Sequence, residues 1–448
     1  MCIIKQFVKD DLHHPNQSKN QSSLDERFAD KPHLRGRLLA IADMVDQAVA
    51  EGCTAHEAEV RAIEQIRKLG QAVLAQWAEK TEPEARKQAQ AENPKLINYG
   101  KKKTLNWHST YGTICVQEQC LRLGRRGLQV RPFCERAQIG PRAYSRPLQR
   151  ALVDFGADDS FLKAKKKMRE HYGVDVPVEA ARRHTLAHAQ AIGAVKHPPA
   201  PAAKMILTGL DGSMVPIVES GTGEDQRKGK TLLWKQANLC CARAKDAVDS
   251  VYGATMASVK MAGLIWREVA VQAGLASTSS VHAVADGADV IFHTFTEQFG
   301  GYEDRAKFTV DYYHVNEHLS QAGELIAPST KKEWLHQQHG RLLENKVSEI
   351  LQILEEHFEP AEQKEAPVRG VHQYLNKRQD NLDYAGARAQ GLPIGSGEIE
   401  SGHRHVIQQR LKIAGAWWIL QNAEAMLRLR TTRANNDWDR YWTEIVKN

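Results

Sequence analysis

The sequence predicts a mixed α/β protein, and three observations lead to this class. Between residues 205 and 311, apolar segments with strand character alternate with helical segments in the order β-β-β-α-β-α-β. On either side, from 33 to 93 and from 315 to about 384, apolar residues recur at helical spacing among many charged residues. A proline-rich stretch at 194–204 predicts a stiff linker between the two parts of the chain.

These changes in pattern divide the chain into five segments. At about 100–200 residues per domain, 448 residues provide for roughly two to four domains. Strong basic charge marks the third segment, and the strand-rich fourth segment carries an all-helical insertion at about 320–390. The predicted segments are a disordered polar tail at 1–30, a helical segment at 31–95, a basic region at 96–200, an α/β domain at 201–430 and a C-terminal tail at 431–448.

The composition is that of a soluble globular protein, with 42% hydrophobic and 26% charged residues. No apolar run reaches the ~18 residues of a membrane span, and residues 1–30 lack the apolar core of a signal peptide. We therefore expect a cytoplasmic protein with no membrane partner. The seven cysteines are odd in number and none are spaced as C-x-x-C, which disfavours a disulfide framework or a four-thiolate zinc site.

Positive charge is concentrated in residues 101–150. This stretch contains eleven Lys and Arg against two Glu, a net charge of +9, whereas the whole chain carries +7. A solvated charged face would contain balancing acids, so the excess favours phosphate binding. Arg125 and Arg126 lie in this stretch and are candidate DNA contacts. Residues 110–123 have the alternation and the β-branched side chains of a strand.

Two helical segments joined by a glycine turn follow at about 160–192. This is the pattern of a helix-turn-helix motif, whose second helix enters the major groove of DNA. Helical hairpins also occur in many proteins that never contact DNA, but the adjacent basic segment favours the DNA-binding interpretation. The candidate contacts are Lys163 and Lys166 on the first helix and Arg182 and Arg183 on the second.

Acidic side chains at strand positions indicate the chemistry of the α/β segment. Asp211 lies near the middle of the first predicted strand, Asp286 ends the fourth, and Glu398 or Glu400 opens a later helix. Mg²⁺ prefers carboxylate oxygens, and two ions about 3.5–4 Å apart assist both the attacking and the leaving oxygen in phosphodiester cleavage. These acids meet only if the first and fourth strands are neighbours, as in a ribonuclease-H-like fold. We therefore predict a ribonuclease-H-like catalytic domain that depends on Mg²⁺ or Mn²⁺.

A competing pattern is H-x-x-E-H at His314, Glu317 and His318, which matches a zinc-hydrolase motif. Three fixed residues form a short motif in a chain with 19 His. Asp311, three residues upstream at a strand end, has no role in such an enzyme. A helix in which the two histidines make supporting hydrogen bonds is the structural alternative.

Four motifs resemble those of bacterial DDE transposases of the ISKra-type insertion sequences. The resemblance covers roughly residues 145–430, and the last motif, which continues through Gln409–Lys412 and Gly415–Trp418, is the most specific. Cysteines in the spacing of the zinc module that precedes the catalytic domain in many of these relatives are absent. The motifs are LDGSMVP at 210–216, DGA at 286–288, DYYHVNEHL at 311–319 and PIGSGEIESGHR at 393–404.

The resemblance implies an enzyme that cleaves DNA at the terminal inverted repeats of its element and joins the freed 3′ end to target DNA. It implies Asp211, Asp286 and Glu400 as the catalytic, metal-binding triad. Asp311 and His314 resemble the D-x-x-H element that precedes an all-helical insertion. Because two element ends are processed, we expect at least a dimer, associated with the nucleoid when bound to DNA. A DNA-binding remnant with an inactive catalytic domain is the alternative outside the enzyme class.

The helix that opens near residue 398 offers two candidate acids. At ~100° per residue, Glu398 and Glu400 point about 200° apart, so only one can face the other carboxylates. Glu400 shares its stripe with Arg404, Ile407 and Leu411, at the margin of the apolar face expected to pack on the sheet. Arg404, one turn after Glu400, is expected to contact a phosphate. Glu398 lies on the opposite side, which we predict to face solvent.

Overall fold

The computed structural model describes residues 28–447, apart from 125–126, 193–196, 220 and 222–228. Backbone contacts divide these residues into two units, 28–151 with 168–175 and 152–167 with 176–447. Both helices and strands are present, so the predicted mixed α/β class is confirmed. No helix within the described ranges is both long enough and apolar enough to cross a membrane.

The first unit combines two long helices with short antiparallel strands. Pro32 occupies the first turn of α1, and Thr54 and Glu57 form a capping box at the start of α2. A turn at Gly52, with φ of 63°, interrupts the helical segment that the sequence predicts. The elements are α1 (Pro32–Ala50), α2 (Ala55–Glu92), β1 (Leu96–Asn98), β2 (Lys103–Ser109), β3 (Gly112–Glu118), β4 (Leu121–Leu123), β5 (Gln129–Val130) and α3 (Pro132–Ala137).

The strand predicted at 110–123 is divided between two sheets. β3 forms a hairpin with β2, whereas β4 lies between β1 and β5 in a separate sheet. Gln119 and Cys120 separate the two strands, and the buried Gln119 amide donates to the carbonyl oxygens of Tyr99 and Cys120. The prediction of one continuous strand is therefore wrong at this break, which the alternation of side chains does not reveal.

The charge of the basic region is partly balanced by acids. Arg131 forms a 2.7 Å ion pair with the fully buried Glu118, and Arg136 contacts Glu84 of α2 at 3.4 Å. These two cations are thus less available to an external phosphate than the local excess of charge suggests. Arg125 and Arg126 lie outside the described residues.

Two helices joined through Gly173, with φ of 67°, occupy the predicted helix-turn-helix segment. One face of the second helix is buried, and Leu186 and Ala189 share a core with Met426 and Tyr441. The contact-based division falls at 151/152, with 168–175 returning to the first unit, whereas the sequence places a boundary in the proline-rich stretch. The helices are α4 (Arg146–Asp158), α5 (Phe161–Tyr172) and α6 (Val178–Ala191).

A five-stranded mixed sheet forms the centre of the second unit, with strand order β10-β9-β6-β7-β8. β6 pairs with β9 in parallel and with β7 antiparallel, so the first and fourth strands are neighbours. The structure thus contains the predicted order of strands and helices and the predicted adjacency of the first and fourth strands. The elements are β6 (Met205–Glu219), β7 (Thr231–Ala244), β8 (Val251–Thr255), α7 (Val259–Gln272), β9 (Ser280–Ala285), α8 (Asp289–Phe299) and β10 (Ala306–Val310).

Alternation along β6 decides which side of the sheet each residue faces. Thr208 accepts a 2.6 Å hydrogen bond from the Trp266 indole, so even-numbered residues face α7. Gly209 lies under Ile399, and a Cβ added there would be 3.6 Å from the Ile399 Cβ. Odd-numbered residues, including Asp211, therefore face the segment that follows residue 396.

The predicted helical insertion at about 320–390 is a set of helices between β10 and residue 389. Val371 and Leu375 pack into the same core as the sheet. Asp289, at the start of α8, forms ion pairs with Lys377 at 2.6 Å and Arg378 at 3.0 Å, and Lys377 lowers the pKa of Asp289. The helices are α9 (Tyr312–Ile326), α10 (Lys331–Leu343), α11 (Val347–Glu355), α12 (Pro367–Lys377) and α13 (Tyr384–Ala389).

The C-terminal region differs from the prediction in two respects. The basic helix expected after Glu398 is interrupted by a π-helical segment, and the predicted tail at 431–448 contains a packed helix. Trp438, Tyr441 and Trp442 have the i, i+3, i+4 spacing of an amphipathic helix, a signal that predicts burial of this face. The elements are α14 (Gly397–Gly402), the π-helical segment (His403–Gln408), α15 (Gln409–Leu411), α16 (Leu420–Ala434) and α17 (Trp438–Lys447).

The burial of α17 predicts that its core side chains contribute to the free energy of unfolding. Trp442 is 4% exposed, and we expect Trp442→Ala to lower the free energy of unfolding by about 3 kcal/mol because it removes a large side chain from a packed core. Trp417 is 62% exposed, and Trp417→Ala should change that free energy by no more than ~0.5 kcal/mol. Chemical denaturation of both variants measures the difference, and equal effects would show that α17 does not stabilise the fold.

Candidate active site

Five acidic residues line one pocket of about 220 Å³ in the second unit. We call it the carboxylate pocket. It lies where β6, β9 and β10 meet the start of α9 and α14. Its lining comprises Asp211, Ala285, Asp286, Asp311, Tyr313, His314, Glu317, Ser396, Ile399 and Glu400.

The parallel pairing of β6 with β9 places Asp211 and Asp286 at this pocket. Asp211 continues β6 beyond its last pairing with β9, and Asp286 directly follows the last residue of β9. The Asp286 Oδ1 accepts a 2.8 Å hydrogen bond from the Ala288 amide, which orients the carboxylate. The chain turns at Gly287, where φ is 77° and an added Cβ would lie 2.9 Å from the Tyr374 hydroxyl oxygen. That hydroxyl donates to the Asp286 carbonyl oxygen at 2.7 Å, and burial raises the pKa of Tyr374.

Asp311 acts as a structural link in the pocket. It is 3% exposed and caps α9, because its Oδ1 accepts from the amides of Tyr313 at 2.7 Å and His314 at 3.4 Å. Its Oδ2 accepts from both the amide and the hydroxyl of Ser396. Both oxygens are thus used within the protein, and Asp311 joins the end of β10 to the loop before α14.

Glu400 and Glu398 lie in different surroundings, as the helix geometry predicts. Glu400 is exposed to the carboxylate pocket, and its Oε1 lies 3.1 Å from the oxygen of the Ser396 hydroxyl, whose proton is donated to Asp311. Glu398 lines another pocket, where Arg243 donates to it at 3.1 Å and Ser250 donates a second hydrogen bond. The prediction that Glu398 faces solvent is therefore wrong, because β7 brings an arginine to that side of α14.

The histidines of the zinc-type pattern make contacts with their own helix and with α12. His314 Nδ1 lies 3.4 Å from a Glu317 carboxylate oxygen. The His318 ring packs on Tyr374 with 4.2 Å between centroids, and burial lowers the pKa of His318.

The fit of a metal ion depends on donor chemistry and ligand number. Within the described ranges, no group of three or more His, Cys, Asp or Glu side chains is arranged to hold a metal ion. Mg²⁺ is commonly held by one or two carboxylates, with water and substrate phosphate as the other ligands. Asp211, Asp286 and Glu400 line one pocket and offer oxygens of this type, although the three side chains are not arranged as a ready metal-binding group.

The candidate DNA contacts lie on exposed helix faces. Lys163 and Lys166 are exposed on α5, and Arg183 is exposed on α6. Arg182 is also exposed but forms a bidentate pair with Glu179, at 2.8 and 2.6 Å. Arg404 is exposed on the π-helical segment, four residues after Glu400.

Sequence reasoning missed one residue beside the carboxylate pocket. His403, the first residue of the π-helical segment, is buried, and its Nε2 lies 3.0 Å from Asp211 Oδ2. The sequence signal that could have identified His403 is its spacing of three residues from Glu400, which places both side chains on one side of a helix.

Comparisons with known proteins add little to this geometry. No family model matches the chain, and no curated protein matches it. Among solved structures, the chain is similar to the Drosophila P element transposase strand transfer complex, with a TM-score of 0.28 and 9% sequence identity over 69% of this chain and 83% of that chain. A TM-score of this size does not define a fold.

Proposed function

We propose that the chain is a DDE transposase that cuts DNA at the ends of its insertion sequence and transfers the freed strand to target DNA. The observation that carries this proposal is that Asp211, Asp286 and Glu400, far apart in sequence, line one pocket at the edge of a mixed sheet. The strand order, with the first and fourth strands adjacent, supports a ribonuclease-H-like domain. The motifs that resemble ISKra-type transposases contain these same three acids.

Each residue of the pocket has a distinct part in this proposal. Asp211 and Asp286 present carboxylate oxygens to the metal, and Glu400 completes the site from α14. Bound Mg²⁺ or Mn²⁺ would supply the positive charge that favours ionisation of the attacking hydroxyl and stabilises the leaving oxygen. Asp311 and Ser396 hold the start of α14 at the strand ends, which keeps Glu400 close to the two aspartates.

DNA would contact cations of the same unit. Lys163, Lys166 and Arg183 are exposed and can meet backbone phosphates, which fix the position of a duplex without reading its sequence. Arg404 lies close enough in the chain to Glu400 to meet a phosphate near the cleaved bond. Because two element ends are processed, we propose a homo-oligomer of at least two chains.

Metal-dependent nicking tests the proposed function. The full-length protein is incubated with a labelled duplex taken from the DNA that flanks its coding sequence, with Mg²⁺, Mn²⁺ or Zn²⁺ as the only divalent cation. We expect nicks that leave a 3′ hydroxyl in Mg²⁺ or Mn²⁺, because oxygen ligands favour these ions. Denaturing electrophoresis measures the product.

Two outcomes contradict the proposal in different ways. Ester or peptide hydrolysis that requires Zn²⁺, with no nicking in Mg²⁺ or Mn²⁺, would replace it with the zinc-hydrolase alternative at His314, Glu317 and His318. Specific binding of the flanking DNA without cleavage in any metal would identify a DNA-binding remnant.

A further inference from the structure

His403 is a buried imidazole next to Asp211. Only 4% of its surface is exposed, and its Nε2 lies 3.0 Å from Asp211 Oδ2. The N–H direction is not aligned with that oxygen, and neither ring nitrogen forms a hydrogen bond with another described group. The ring thus lies against a carboxylate of the carboxylate pocket, and both of its nitrogens are unsatisfied.

The local backbone explains how the imidazole reaches this position. His403 begins the π-helical segment, and π-helical turns are rare and occur frequently at functional sites. Gly402, directly before it, packs so closely on β7 and β8 that an added Cβ would lie 3.0 Å from the Leu239 side chain and 2.7 Å from the Tyr252 ring. This close approach brings the π-helical segment onto the sheet, where His403 lies over the odd-numbered side of β6 and next to Asp211.

The contact with Asp211 explains why a histidine, and not an apolar residue, occupies position 403. A leucine of similar volume would fill the same space without placing two unpaired ring nitrogens in the interior. The other Asp211 oxygen, Oδ1, accepts a 2.7 Å hydrogen bond from the Gly212 amide. With the imidazole at Oδ2, both carboxylate oxygens have a neighbour that limits rotation of the side chain.

We propose that His403 is a positioning residue that holds the Asp211 carboxylate in the orientation in which it binds a divalent cation. This inference rests on the proposed function, because it takes Asp211 as a metal ligand. Groups that orient a ligand typically change metal affinity by about 10–100-fold when they are removed. His403 would act through Asp211 and would contact neither the metal nor the DNA.

Mn²⁺ binding to the full-length protein, without DNA, tests the role of His403. Electron paramagnetic resonance measures free Mn²⁺ for the wild type and for His403→Leu, His403→Gln and Asp211→Asn. We expect His403→Leu to weaken binding by about 10–100-fold. His403→Gln should retain affinity within about threefold, because the amide can donate to Asp211 from a similar position. The exposed His405 of the same segment provides the control, and His405→Leu should bind Mn²⁺ as the wild type does.

The outcomes separate this inference from the proposed function. If Asp211→Asn binds Mn²⁺ as tightly as the wild type does, Asp211 is no metal ligand and the proposed function itself fails. If Asp211→Asn loses binding while His403→Leu keeps it, only the role of His403 is overturned. A folded His403→Gln that binds as weakly as His403→Leu would also overturn it, since a packing role does not predict rescue by an amide. Thermal unfolding establishes that each variant is folded.

Discussion

Glu400→Gln is expected to reduce metal-dependent DNA nicking by at least about 10³-fold, equivalent to about 4 kcal/mol of transition-state stabilisation. The amide keeps the shape of the side chain but lacks the negative charge that a divalent cation needs. DNA binding should stay within about twofold of the wild type, because the substitution removes no cation that neutralises a phosphate. Nicking rates in Mn²⁺ and gel-shift titrations in its absence measure the two effects.

Glu398→Gln is the matched control, on the same helix and two residues away. Glu398 accepts from Arg243 and Ser250 in a different pocket, so we expect its substitution to cost about 1 kcal/mol of unfolding free energy. Nicking should stay within about threefold of the wild type. Greater damage to nicking from Glu398→Gln than from Glu400→Gln would overturn the assignment of Glu400 to the active site.

The sequence predicts the central architecture because its signals there are local. Apolar strand segments that alternate with helices specify the order of elements, and acids at strand positions mark one edge of the sheet. The pairing of β6 with β9 then brings Asp211 and Asp286 to one pocket. Their catalytic role stays a prediction, since the structure gives their placement and no reaction.

Local sequence patterns do not predict contacts between residues that are distant in the chain. A helical wheel places Glu398 opposite Glu400, but only the path of β7 determines that Arg243 meets Glu398. The contact of His403 with Asp211 depends on the π-helical segment, and a constant ~100° per residue cannot represent that change in helix geometry.

In the first unit, a local count of charges likewise does not show which cations are paired with acids. The excess of Lys and Arg at 101–150 is evident from the sequence. Arg136, however, forms an ion pair with Glu84, which lies in a helix more than forty residues earlier. Glu118, one of the two acids within that stretch, is fully buried and pairs with Arg131. A count of charges within a window therefore overestimates the cations that are available to DNA.

Loss of three exposed cations is expected to weaken DNA binding strongly. The variant Lys163→Gln, Lys166→Gln, Arg183→Gln should lower the slope of log affinity against log salt by about 2.7, because each phosphate contact contributes ~0.9. At 0.1 M salt this corresponds to roughly a 10²–10³-fold loss of affinity. Lys167 and Arg182 are left unchanged, because they already pair with Asp159 at 2.6 Å and Glu179 at 2.6 Å. Gel-shift titrations between about 50 and 200 mM salt measure the slope.

A control variant that loses three positive charges on another surface distinguishes direct contacts with DNA from general electrostatic attraction to it. Lys332, Lys364 and Arg388 are exposed in the helical region between β10 and α14, and replacing all three with Gln also removes three positive charges. Charges farther from DNA than a Debye length of about 10 Å are screened at 0.1 M salt, so this variant should keep the wild-type slope. A reduced slope in this variant, with an unchanged slope after substitution of Lys163, Lys166 and Arg183, would move the DNA-binding surface from α5 and α6 to the helical region.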